Sequence, residues 1–280
     1  ETITVAVTQE TVTEEITTQE DTTTEEETVF TPEEGDFDSI LKLDSVEWTP
    51  SEDGTYYETT LYYSAGNDIP EDIAGQFQLM KIYVPAGYIK DDGTYDEAAT
   101  VGEYTVRTAP IIFKNNCTGW KSSTIKEADP EWLAQGWIQV ECGARSRDAD
   151  PADVYSKSPA QVVDLKSGLR MLRLNEELLC GNFDRIISYG YSGGGQMSSM
   201  MGATGNMEAY FEALWENGAA GICKLDDGTF ASTIDDSVYG CMCFCPIASL
   251  QAASAAQAWM RYDSAMNGGY TFTPFQLQLE

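Results

Sequence analysis

The 280 residues include no histidine, and only 16 are basic against 46 acidic. Each shortage excludes something. Without histidine the chain holds no complete Ser-His-Asp or Cys-His site and no His-ligated metal. A formal charge of −30 leaves no clustered Lys and Arg for a nucleic-acid backbone or an anionic bilayer, because both require such clusters. No run of eighteen apolar residues occurs, so no membrane insertion is expected. The seven cysteines are odd in number and irregular in spacing, which is not the framework of a disulfide-stapled domain.

What is present begins with a biased segment. Residues 1–35 carry 11 acidic residues and 12 threonines with no Lys or Arg. Such a stretch repels itself and buries little apolar surface, so it reads as a disordered acidic Thr/Glu-rich tether. Tethers of this composition commonly separate an export signal or surface anchor from an extracellular domain, which suggests an extracellular or cell-surface protein; a simple solubilising tail is the alternative. Residues 36–280 read as one α/β domain. Cys241, Cys243 and Cys245 alternate and so share one face of a strand. They are expected to pack as small apolar groups inside a buried strand, rather than to hold zinc, whose sites usually add wider loop spacings and histidine.

Along the domain, Phe37 to Tyr63 alternates and reads as a hairpin about Ser51–Gly54. Strands are expected at Gln78–Val84, Ala109–Phe113, Trp137–Val140, Ile186–Tyr189 and Val238–Phe244. Helices are expected at Pro130–Gln135, from the Ser158-Pro159 pair to about Leu179, after Ser192, at Met207–Trp215 and at Gln251–Arg261. This rhythm predicts a mainly parallel sheet with helices on both faces and an antiparallel N-terminal edge.

One motif carries chemistry. Gly190-Tyr191-Ser192-Gly193-Gly194 joins an apolar strand to a helix, the context of a nucleophile elbow. A serine hydroxyl must stand clear of the backbone to reach a carbonyl carbon, and a sharp strand-to-helix turn lifts it there. Side chains two positions either side would collide, which calls for Gly190 and Gly194. The new helix also aims amide hydrogens at developing negative charge. Phosphate loops are a poor match, since no Gly-Lys-Ser/Thr follows; a purely structural turn stays open. The expected oxyanion hole takes one N–H from Gly193 and a second from Thr118 or Gly119, in the loop after the Ala109–Phe113 strand. Asn116-Cys117-Thr118 also spells a glycosylation sequon, read as chance because a glycan there would block the pocket. Arg145 and Arg147 are read as loop anchors before substrate contacts.

Several stretches, in order, resemble the bacterial tannase (subtype B) and feruloyl-esterase-like α/β-hydrolases: QLMKIYVPAGY, APIIFKNN, ECGARSR, the run from Ser158 to Asn206, and CFCPIASL. The resemblance covers about Phe77 to Arg261. It implies a secreted serine esterase acting on galloyl or other hydroxyaromatic esters, with Ser192 as nucleophile and no metal or cofactor. The family's elbow often has Ala where Gly193 stands, and its oxyanion loop is richer in glycine at Trp120 and Lys121. In this fold the acid and His follow the Ser in chain order. The sequence is therefore expected to be an internal part of a longer hydrolase, with its C-terminal strands and its catalytic Asp and His beyond residue 280. Asp226, Asp227, Asp235 and Asp236 are expected to be loop and helix-start charges. The rivals are a degenerate hydrolase serving as a binding module, a prolyl-oligopeptidase-type peptidase, and an adhesion module using Tyr56, Tyr57, Tyr62 and Tyr63.

Overall fold

A computed structural model of the protein describes residues 34–66, 71–149 and 156–247, all within one compact unit, Pro32–Glu280. The expected tether, apart from Glu34 and Gly35, and the expected helix over 251–261 lie outside the described residues.

The segment read as a hairpin starts instead as a helical turn, α1 (Asp38–Leu41). Phe37 and Leu41 suit an i, i+4 pair as well as a strand face, and Asp38 decides between them. Its buried carboxylate accepts the Gly35 amide at 2.7 Å and the Gly221 amide at 2.6 Å. Only β1 (Thr49–Pro50) and β2 (Tyr56–Tyr62) pair, around a turn in which Asp53 accepts the Thr55 amide and hydroxyl. Then follow α2 (Glu71–Phe77), β3 (Leu79–Pro85), a ribbon of β4 (Thr100–Val101) and β5 (Tyr104–Thr105), β6 (Pro110–Asn115) and α3 (Pro130–Ala134). Asp129 caps α3 and Gly136, at φ 88°, ends its loop. Next come β7 (Ile138–Cys142), α4 (Ala160–Leu174), β8 (Asn182–Tyr191), α5 (Gly193–Ala203) and α6 (Phe211–Glu216). The hairpin of β9 (Ile222–Lys224) and β10 (Phe230–Ser232) turns at Asp226-Asp227-Gly228, and β11 (Gly240–Phe244) closes the described chain.

The main sheet has the order β1-β2-β3-β7-β6-β8-β11. Pairing is antiparallel from β1 to β7 and parallel from β7 to β11, so an antiparallel N-terminal edge leads into a parallel half. On β8 the Tyr189 ring meets Trp132 of α3 at 5.1 Å, while the adjacent Gly190 lies against Gly194 of α5. Neighbouring strand residues point to opposite faces, which puts α3 and α5 on opposite sides of the sheet. Ile111, Phe113, Ile138, Val140 and Ile186 are buried with Leu165, Leu169 and Leu172 of α4. Each such side chain contributes about 1.5–3 kcal/mol.

Helix α4 departs from expectation at both ends. It begins at Ala160, after a cis Ser158–Pro159 peptide. It stops at Leu174, where the Asn175 side chain accepts the Leu43 amide and donates to the Leu41 and Met171 carbonyls. It is also buried on every side from Ala160 to Leu172, not along one apolar stripe. Its polar residues are therefore paired inside. Arg145 grips Asp164 at 2.7 and 2.9 Å, so it anchors β7 to α4, whereas Arg147 is exposed. Asp236 lies in the loop between β10 and β11, as expected, but it is fully buried and takes Lys166 and Arg170, each at 2.7 Å.

The cysteines also need correcting. Cys117, Cys142, Cys180 and Cys223 are buried, but Cys241 and Cys245 are exposed and Cys243 half-buried. Cys241 and Cys243 lie on β11, the outermost described strand at that edge of the sheet, where no flanking described strand covers them, and Cys245 lies past its end at φ 47°. Most of the Tyr-rich segment packs: Tyr63 is fully buried with its hydroxyl on the Gly143 carbonyl, and Tyr56 meets Tyr83 edge-on at 5.6 Å, while Tyr62 is exposed. No helix among the described residues is long and apolar enough to cross a membrane.

Candidate active site

The chain leaves β6 toward α3 on one face of the sheet and leaves β8 into α5 on the other. Between the C-terminal ends of these two neighbouring strands lies the crevice where open α/β sheets bind ligands. The β6 end supplies the loop Asn115–Trp120, and the β8 end supplies Ser192.

Ser192 sits at the helix N-cap with φ 58° and ψ −118°. A non-glycine residue there costs on the order of 1–3 kcal/mol, so the surroundings must hold it. Its amide donates to the Phe244 carbonyl of β11 at 2.8 Å, and its own carbonyl accepts the Gln196 amide at 3.1 Å. The half-buried side chain makes no capping hydrogen bond. Tyr191, the residue before it, is exposed and lies 3.8 Å from the Cys245 thiol through its hydroxyl.

The glycines follow from close approach. A Cβ on Gly190 would strike the Gly194 carbonyl and come within 2.8 Å of the Asn115 amide nitrogen; one on Gly194 would lie 2.7 Å from the Asn115 amide oxygen. A Cβ on Gly193 would lie 2.6 Å from the Cys117 carbonyl oxygen and 2.8 Å from the Trp120 nitrogen. The loop therefore rests directly on the residue after Ser192, and an alanine does not fit there without moving it.

In that loop Thr118–Trp120 forms a tight turn with Gly119 at φ 69° and Trp120 at φ 53°. The Trp120 amide donates to the Cys117 carbonyl at 2.9 Å and is spent. Thr118 and Gly119 are exposed, and no acceptor for either amide occurs among the described residues. The Gly119 nitrogen lies 3.2 Å from the position a Gly193 Cβ would take. Gly193, first residue of α5, carries one of the amides that have no partner within a helix.

Two residues given no role from sequence join these parts. The buried Asn115 donates through Nδ2 to Ser198 Oγ (3.0 Å) and to the Tyr189 (3.2 Å) and Gly194 (3.3 Å) carbonyls. Its Oδ1 accepts the Cys117 amide at 3.4 Å. Gln196 accepts the Trp120 indole N–H at 2.7 Å. An asparagine closing an apolar strand was the available signal for the first; nothing local marks the second. Around the loop, Asn116 Nδ2 donates to buried Glu141 at 2.6 Å, so the sequon nitrogen is engaged. The Cys117 thiol, raised by burial well above the usual range, stays protonated. No cluster of three or more potential metal ligands occurs among the described residues.

The BD-FAE family matches residues 113–236, from within β6 to the buried Asp236. Among solved structures, tannase from Fusobacterium nucleatum superposes with a TM-score of 0.62 at 28% identity, covering 79% of this chain and 45% of that one. The fold is that of a tannase-like α/β-hydrolase. Tannin acyl hydrolase from Lactobacillus plantarum gives 0.60 at 27% identity over 79% of this chain and 47% of that one. A tannin acyl hydrolase in complex with ethyl gallate gives 0.60 at 25% over 80% and 48%. The chain thus spans about half the length of the tannases it resembles. No curated protein matches it by sequence. Within the tannase-like fold, the matched span contains both the loop after β6 and the elbow after β8.

Proposed function

We propose that this chain carries the nucleophile half of a serine carboxylic-ester hydrolase acting on galloyl or other hydroxyaromatic esters. The observation behind the reading is the Ser192 hydroxyl, without a hydrogen-bond partner among the described residues, at a kinked strand-to-helix junction, beside the amides of Gly193 and the Thr118–Gly119 turn. Ser192 Oγ attacks the ester carbonyl and its proton passes to a base. The carbonyl oxygen becomes an oxyanion that accepts the Gly193 N–H and the Gly119 or Thr118 N–H. The alcohol leaves protonated, and water then cleaves the acyl-serine. With no histidine in 280 residues, the base and its acid partner come from outside this stretch, which also agrees with its covering half of each tannase. The tannin acyl hydrolases solved with ethyl gallate and with 3,4-dihydroxybenzoate support an aromatic ester as substrate. The Thr/Glu composition of residues 1–35 supports an exported protein.

The full-length protein is expected to hydrolyse a gallate ester, with Ser192→Ala abolishing turnover, while the 280-residue chain alone gives none. Undiminished hydrolysis by Ser192→Ala overturns the reading. Inactivity of the full-length protein favours the degenerate-hydrolase alternative, to which the missing histidine lends its one support.

A further inference from the structure

We infer that Asn115 is a positioning residue that sets the oxyanion loop against the nucleophile, an inference resting on the esterase reading above. Two amides form the hole, and they belong to segments far apart in sequence: Gly193 at the start of α5, and the Thr118–Gly119 turn after β6. A hole of this kind works only if its donors sit about 3 Å from one developing oxygen, so something must fix the distance between the segments. Backbone contact at Gly193 limits how near the loop can come but does not hold it there, because Thr118 and Gly119 are exposed and the turn runs through two positive-φ residues.

The Asn115 carboxamide lies between the two segments. Its nitrogen end bonds only to the elbow, at the Tyr189 and Gly194 carbonyls and the Ser198 hydroxyl. Its oxygen end accepts the Cys117 amide, one residue before the turn. The carboxamide also fills the space that Cβ atoms on Gly190 and Gly194 would need. The two elbow glycines thus leave a slot, and Asn115 occupies it. A neutral amide suits the slot because carbonyls demand a donor on one side and a backbone N–H demands an acceptor on the other. Leucine offers neither, and a carboxylate would face two carbonyl oxygens. On the solvent side, the Trp120–Gln196 bond at 2.7 Å is a second latch between the same segments. Asn115 touches no reacting atom; it acts through the turn that does.

The test is Asn115→Ala in the full-length protein, with Gln196→Ala as a milder companion. For Asn115→Ala, kcat for a gallate ester should fall about a hundredfold, as for a hole misplaced by an ångström, with KM near wild type. An arylboronic acid, which forms a tetrahedral anion on serine, should lose affinity in the same proportion. Gln196→Ala should show the same pattern in smaller degree. Hydrogen exchange at the bonded amides of Cys117, Trp120 and Lys121 should rise in both variants, a readout that needs no turnover. Unchanged exchange there, or boronate affinity retained while kcat falls, overturns the inference. If Asn115→Ala does not fold, Gln196→Ala and its exchange pattern decide. A wild-type protein with no Ser192-dependent turnover removes the esterase reading instead, and exchange still reports whether the latch exists.

Discussion

The elbow and the interior of α4 treat polar groups in opposite ways. Around α4 the buried charges are bonded several times over: Asp236 takes Lys166, Arg170 and the Asn206 amide, each at 2.7 Å. Arg170 also reaches Ser232 and Asn206. Burial pulls the Lys166 and Arg170 pKa values down and Asp236 opposes it. At the elbow, by contrast, a hydroxyl and amides at the Gly193 and Thr118–Gly119 positions have no hydrogen-bond partner among the described residues, and Ser192 is held in a strained conformation. In the first region buried charges close on one another; in the second, under the proposed reading, the open groups await a substrate.

Substitutions in the two regions should therefore move different observables. The largest effect is expected for Ser192→Ala in the full-length protein: about 10⁴-fold or more off kcat, as when a nucleophile is deleted. Its urea midpoint should stay near wild type, because the side chain bonds nothing and the backbone strain remains. A large loss of stability with this variant would mean that the serine is structural.

Asp236→Ala should do the reverse. It strands two buried cations, at a cost of about 3–5 kcal/mol, and urea unfolding of the 280-residue chain measures it. Replacing Lys166, Arg170 and Asp236 together by apolar residues should cost less than Asp236→Ala alone, since no unpaired charge is left inside. A triple variant worse than the single one would show that the cluster is needed for more than charge balance.

Gly193→Ala falls between these two regimes. Its Cβ would press on the Cys117 carbonyl and the Trp120 nitrogen. The loop must then shift, and kcat should drop by about 10- to 100-fold with a stability loss of about 1–3 kcal/mol.

The same contrast explains what the sequence disclosed. The elbow was legible because its chemistry is local: Gly190, Ser192 and Gly194 lie within five residues, and a strand and a helix flank them. β3, β6 and β8 were legible as apolar runs. The α4 network was not. Periodicity finds one apolar stripe, and a helix covered on all sides hides its charged residues' destinations, which for Lys166 and Arg170 lie 70 and 66 residues away. Asn115 shows in the sequence only as an asparagine at the end of an apolar strand; its partners lie 74 to 83 positions on, so its role has no local pattern. The exposure of Cys241 depends on β11 being the outermost described strand at its edge, and that of Cys245 on the strand ending at Phe244, neither of which alternation alone tells.

The smallest predicted effect is the sharpest test of the contrast. Ser192→Gly should remove activity as thoroughly as Ser192→Ala, yet raise stability by about 1 kcal/mol. Glycine adopts φ 58° without a Cβ clash, and no capping bond is lost because the serine makes none. The added freedom of the unfolded chain offsets part of the gain, so the net shift should be modest and visible as a higher urea midpoint relative to Ser192→Ala. Equal midpoints for the two variants would mean that the bend at Ser192 stores no strain. The elbow would then differ from the α4 interior only in its open hydrogen-bonding groups and not in backbone energy.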